Sequence, residues 1–152
     1  MNRIVLDTNI VVSAFLWGGM SRLVITRAIE MGTSLLVSED TLQELERTLN
    51  KPKFEGQFGI IGKTPAQIVH EYAELTTKTV PAPIPAGLVR DVKDDIILAV
   101  AVGGKATHLI SGDKDLITLG EYEGIRILTP AQYLQILETP PPSESSSQLP
   151  PE

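Results

Sequence analysis

The chain has no cysteine, which excludes disulfides, thiolate nucleophiles and Cys-ligated zinc. Histidine is nearly as scarce: His70 and His108 stand alone, without metal-ligand spacing, and read as structural. No apolar run approaches the roughly 20 residues needed to span a bilayer, so no membrane association is expected. The opening residues do not combine a basic region, an apolar core and a cleavage site, so no secretory signal is expected. Together with the missing cysteine, this suits a cytoplasmic location. A basic surplus is missing too, since the net charge is −6.

At 152 residues, 42% hydrophobic and 21% charged, the chain has the size and composition of one soluble domain with one core. Its acidity is unevenly placed. Beyond Leu137 stand Glu138, Glu144 and Glu152 with no basic residue, which leaves 13 basic against 16 acidic groups in residues 1–137. Were four of those acids to hold a metal, the rest would balance at 13 against 12. Such a balance disfavours tight non-specific binding to duplexes but is compatible with a phosphodiester substrate.

Arg3 to Leu6 reads as a short strand whose Ile4-Val5-Leu6 run suits a parallel sheet covered on both faces. Asp7, Thr8 and Asn9 follow at its carboxyl end, where open α/β sheets place ligands. Asp7 is equally the N-cap of a helix through Ile10 to Leu16. Met20 to Gly32 predicts a second helix, and Ser34 to Val37 a second strand. Ser38 caps a helix with Leu42, Leu45 and Leu49 on its buried stripe. Glu44 lies at that stripe's edge and by itself reads as a solvated helix residue.

Asn50 to Lys63 reads as irregular. It mixes Lys51, Lys53 and Lys63 with Phe54 and Phe58, a composition suited to single-stranded nucleic acid or to a linker that tucks its aromatics into the core. Thr64 caps a helix from Pro65 to about Lys78, and proline-rich Val80 to Gly87 must be extended. Trp17 reads as core.

Asp91, Asp94 and Asp95 crowd the start of an apolar helix, Ile96 to Val102. A helix dipole favours acids there but supplies only about half a charge, so three acids call for a further cation. Thr107 to Ile110 is another strand, ending in Ser111-Gly-Asp113-Lys-Asp115. Gly124 to Leu128 is the last strand, and Thr129 caps the last helix. From Thr139 the chain is Pro, Ser, Glu and Gln, a composition expected to remain disordered. Residues 1–138 are thus expected to form the domain and 139–152 a tail.

Alternating strands and helices predict a three-layer α/β/α sandwich with a mostly parallel central sheet. Asp7 and Asp113 would then lie at strand ends, with Glu44 and Asp94 on helices beside them. Four acids meeting in one cleft would shift their pKa values or bind a cation. Oxygen ligands without His or Cys point to Mg2+ or Mn2+.

Val5-Leu-Asp-Thr-Asn-Ile, Ser38 with Glu44-Leu45, Arg90-Asp-Val-Lys-Asp-Asp-Ile-Ile-Leu-Ala and Ile110-Ser-Gly-Asp-Lys-Asp-Leu stand in this order. The set resembles the PIN-domain family over roughly residues 3–137, in the bacterial branch that includes toxins of toxin–antitoxin pairs. The resemblance implies a metal-dependent endoribonuclease acting on single-stranded RNA and leaving a 5′-phosphate and a 3′-hydroxyl. Asp7, Glu44, Asp94 and Asp113 would be its catalytic acids, with Asp7, Asp94 and Asp113 on the metal.

Thr8, Asn9 and Ser111 would support the site through hydrogen bonds, with Asp91, Asp95 and Asp115 as auxiliary acids. Asp115 could replace or assist Asp113. Lys51, Lys53 and Lys63 are the candidate RNA contacts, an antitoxin is the implied protein partner, and a homodimer or higher homo-oligomer is expected. Val92, where the branch often has proline, bears only on loop shape. A PIN-fold scaffold with weak or lost cleavage is the alternative. A phospho-accepting receiver domain fits poorly, because Asp7 comes too early and no mid-chain strand ends in Asp.

Overall fold

In chain order the elements of the computed structural model are β1 (Arg3–Leu6), α1 (Thr8–Leu16), α2 (Gly19–Glu30), β2 (Ser34–Val37), α3 (Glu39–Leu49), a 3-10 turn (Pro52–Phe54), α4 (Glu55–Ile61) and α5 (Pro65–Glu74). They continue with β3 (Thr77–Lys78), α6 (Val92–Gly103), β4 (His108–Ile110), α7 (Lys114–Leu119), β5 (Glu121–Tyr122), β6 (Ile125–Leu128) and α8 (Pro130–Glu138). The structure describes residues 2–85, 87–89 and 91–138. The tail expected at 139–152 therefore lies outside the described residues.

The strands form one sheet in the order β3-β2-β1-β4-β6-β5, parallel except for the antiparallel β5–β6 edge. Side chains alternate across a strand, so the apolar runs serve two cores. Ile4 and Leu6 of β1 join Leu35 and Val37 of β2 against α1, α2, α3, α5 and α8. Val5, Leu36, Leu109 and Ile127 point the other way, against α6 and α7. This is the three-layer sandwich expected from the alternating pattern. Among the described residues no single helix is long and apolar enough to cross a membrane.

The strand order positions the site. From β1 the chain moves outward to β2 and β3, then returns to lay β4 on the other side of β1. Helices leaving β1 and β4 start from adjacent strand ends, and the crevice between them is a topological switch point. Capping boxes set the starts of α3 (Ser38 with Thr41) and α5 (Thr64 with Gln67), and Thr129 and Gln132 bond reciprocally at α8.

Several elements depart from the sequence pattern. The stretch expected to be irregular holds the 3-10 turn and α4, held by Gln57 Nε2 donating to the Leu16 carbonyl at 2.6 Å. Gly62 closes α4 with a left-handed φ of 71°. Phe54 is buried and Phe58 packs against the same core. The helix expected to reach Lys78 stops at Glu74, and Thr77–Lys78 pairs with β2. Trp17 is 60% exposed, its ring edge-on to Phe54, because Gly18 turns the chain away at the end of α1. α6 begins at Val92, a turn earlier than its apolar run.

The proline-rich segment after β3 straps the outside of α6. The Thr79 amide extends the pairing with Val37, and the Ala82 amide bonds the Ala99 carbonyl at 3.0 Å. Gly103 permits this approach, because a Cβ there would collide with the Val80 carbonyl and the Ala82 amide. Gly103→Ala should therefore cost about 2 kcal/mol and lower the melting temperature by roughly 4–8 °C in a calorimetric scan. An unchanged melting temperature would show that the strap is not held at this point.

Candidate metal centre

Asp7 occupies the N-cap position of α1, but its side chain makes no capping bond to the helix. Its Oδ2 instead accepts the Ser111 hydroxyl at 2.7 Å. Ser111 Oγ in turn accepts the Asp113 amide at 2.9 Å, and the Asp7 amide donates to the Ile110 carbonyl at 2.9 Å. One buried serine thus ties the ends of β1 and β4 together. Burial raises the Asp7 carboxyl above its ordinary pKa; the Ser111 bond and the neighbouring Thr8 amide pull the other way, while Asp113 and Asp91 add to the rise.

Asp91 caps α6 in the ordinary manner, its side chain accepting the Lys93 amide at 3.0 Å. Asp94, one turn in, is only 4% exposed, and its Oδ2 has no hydrogen-bond partner among the described residues. Burial, then the charges of Asp113, Asp7, Asp91 and Asp115, push its pKa up to about 7. The tightest carboxylate group is Asp94, Asp113 and Asp115, with one oxygen of each within 4.8 Å of the others. Asp113 also caps α7 by accepting the Asp115 amide at 2.8 Å.

Glu44 is buried, contrary to its isolated reading as a solvated residue, because α3 lays it against the start of α6. Burial alone would raise its pKa. The bonds from Arg47 (Nε 3.2 Å, Nη2 2.9 Å) and Lys93 (Nζ 3.2 Å) outweigh that and leave it lowered. Thr48 donates to the same carboxylate at 3.3 Å.

A cleft of about 90 Å³ brings Asp7, Glu44, Asp94 and Asp113 together with Asp91, Thr8, Asn9 and Lys51. Thr8 and Asn9 line it, but their side chains make no hydrogen bond to its acids among the described residues. Three residues singled out from sequence lie elsewhere. Asp95 lines a separate apolar groove with Asp40 and Pro81, one oxygen receiving the Gly87 amide at 3.4 Å. Lys63 pairs with Glu71 at 2.9 Å, and Lys53 lies over the Phe54 ring. The 3-10 turn and α4 carry both lysines away.

Lys93, Arg47 and Thr48 were not anticipated. Spacings of three and four from Glu44 along α3 could have signalled Arg47 and Thr48, whereas Lys93, although inside the Arg90–Ala99 motif, has no sequence spacing that ties it to Glu44.

A buried carboxylate oxygen without a donor, facing other carboxylates, is the environment that a hard divalent cation relieves. The donor set is all oxygen, which suits Mg2+ or Mn2+. Without metal, Asp94 destabilises the fold as pH rises. Below about pH 4 it is protonated folded or unfolded; between pH 4 and 7 the unfolded chain ionises first, so stability falls. By pH 8 the loss is about 4 kcal/mol. In chelator at pH 8, Asp94→Asn should melt roughly 8–16 °C above wild type, with the gap closing below about pH 4. A variant melting below wild type at pH 8 would contradict the crowding of charge.

The PIN domain family model matches residues 3–115. Comparison with curated proteins gave no match. Among solved structures, a chain from the crystal structure of VapBC2 from Rickettsia felis bound to a DNA fragment from their promoter superposes with a TM-score of 0.55. The two share 16% identity, and the match covers 82% of this chain and 96% of that one. At such identity the likeness concerns the fold, whereas the family match runs through β1, α3, α6 and the Ser111–Asp115 turn. PIN domains are generally nucleases and typically use divalent metals. With the acids of its strand ends and helix starts gathered at the switch point of a parallel sheet, this chain belongs to the PIN domain family.

Proposed function

We propose that this protein is a Mg2+- or Mn2+-dependent endoribonuclease that hydrolyses single-stranded RNA and serves as the toxin of a toxin–antitoxin pair. The observation that carries the proposal is the convergence of Asp7, Glu44, Asp94 and Asp113 in one cleft, with a buried Asp94 oxygen lacking any donor. Asp7, Asp94 and Asp113 would hold the metal, with Asp115 grouped beside the last two. When bound, such an ion supplies an activated water and neutralises charge developing on the phosphodiester.

The chain's own residues orient these parts. Ser111 fixes the Asp7 carboxylate, and Asp91 anchors the first turn of α6, so that Asp94 faces the cleft. Lys51 at the rim offers a cation to the RNA backbone. A net charge of −6 suits a strand engaged at few phosphates better than a duplex held along its length. For the protein partner, the support is the similarity to a chain of VapBC2, an assembly bound to DNA from its own promoter. Exposed Trp17, Met20 and Leu23 around the start of α2 are the kind of apolar surface that a partner covers.

Degradation of end-labelled single-stranded RNA in Mn2+ tests the proposal. Wild type should cleave, chelator should abolish cleavage, and Asp94→Asn should be slower by about 100-fold or more. Equal degradation by wild type and Asp94→Asn would assign the activity to a contaminant and refute the proposal.

A further inference from the structure

We infer that Lys93 is the residue that binds the RNA phosphate entering the cleft, and that Glu44 is the positioning residue that holds Lys93 in place. The inference rests on the phosphodiester substrate proposed above and gives a role to the lysine of the Arg90–Ala99 motif, to which the resemblance assigns none.

Glu44 differs electrically from the other acids of the cleft. Its Oε1 receives two Arg47 donors, and its Oε2 receives the Thr48 hydroxyl and the Lys93 ammonium. Both oxygens are engaged, and the charge is compensated. Asp94 has an oxygen with no donor at all. A metal entering the cleft gains most at Asp94, whose oxygen has no donor, and least at Glu44, whose oxygens are both engaged. Glu44 is thus built as an anchor for cations.

What it anchors is well placed. Lys93 lies on the first turn of α6, immediately before Asp94, and reaches across to α3 with half of its side chain exposed. A lysine ammonium carries three N–H donors. Among the described residues Glu44 is its one charged partner, so donors remain for an incoming oxygen anion. Without Glu44 a four-carbon chain beside Asp91 and Asp94 would sample many positions. Held across the cleft, the ammonium offsets the repulsion that the acid cluster exerts on a phosphate. Lys51 lines the same cleft, so a strand passing its rim meets two cations beside the acids.

The test is fluorescence anisotropy of a labelled single-stranded RNA of about twelve nucleotides with the full chain, in Ca2+, the RNA checked for integrity by gel. Lys93→Ala should weaken binding roughly 5- to 10-fold and flatten the salt dependence by about 0.7 in log–log slope, while Lys93→Arg stays near wild type. Glu44→Gln should weaken binding less, and adding it to Lys93→Ala should cost nothing further. Lys105→Ala, beyond the far end of α6, is the neutral control. By calorimetry Lys93→Ala and Glu44→Gln should bind Mn2+ at least as well as wild type.

RNA affinity indifferent to Lys93, additive losses in the double variant, or Mn2+ binding lost in Glu44→Gln would each overturn the inference. Cleavage with Lys93-indifferent affinity overturns it alone. Lys93-dependent binding without Mn2+-dependent cleavage overturns the nuclease proposal and leaves the inference standing. Wild type that binds no RNA overturns both.

Discussion

The site depends on the lateral contact between the ends of two parallel strands. β1 and β4 are adjacent because the chain reverses its direction of travel across the sheet between them, and their carboxyl ends therefore open onto one crevice. The Ser111 hydroxyl, donating to Asp7 and accepting from the Asp113 amide, fixes the spacing of that crevice at the level of single atoms. Buried polar groups are costly unless bonded, so this serine couples the fold to the site. Everything else in the cleft is added around that bridge: α6 brings Asp94 from one side and α3 brings Glu44 from another.

The two helix-borne acids meet opposite electrostatic fates. Glu44 lies in an ion-pair cage of Arg47 and Lys93 that more than offsets its burial. Asp94 lies at the start of a helix whose dipole supplies about half a charge against several neighbouring carboxylates, and its pKa rises to about 7. Such a pattern has a physical meaning. The cleft is compensated on its α3 wall and left negative at Asp94 on α6, so a divalent ion and a phosphate are drawn to different parts of one small volume.

Most of the fold was legible in the sequence because its strands are buried on both faces. Ile4-Val5-Leu6 and Leu35-Leu36-Val37 leave no ambiguity about what covers them, and Ser38, Thr64 and Thr129 announce their helices by side chains that the structure finds bonded in those roles. The acids at strand ends were legible for the same reason. β3 and β5 were not: two residues each, they exist through backbone pairing and carry no side-chain pattern. α4 was hidden by Gly56 and Gly59, which lower helix propensity, and it forms on a tertiary bond from Gln57 to the end of α1. Trp17 deceived because burial of an aromatic beside a turn is decided by where the chain goes next. The cation cage of Glu44 was only half visible, since Lys93 lies 49 residues away in sequence.

The central claim is that these carboxylates form one cation-binding pocket. Anomalous diffraction from crystals of the full chain soaked in Mn2+ tests it most directly. A manganese peak is expected within coordination distance of Asp94 and Asp113, roughly 2.1–2.3 Å, with no direct bond to Glu44. A cleft without a peak at saturating Mn2+, or a peak confined to other surface acids, would contradict it.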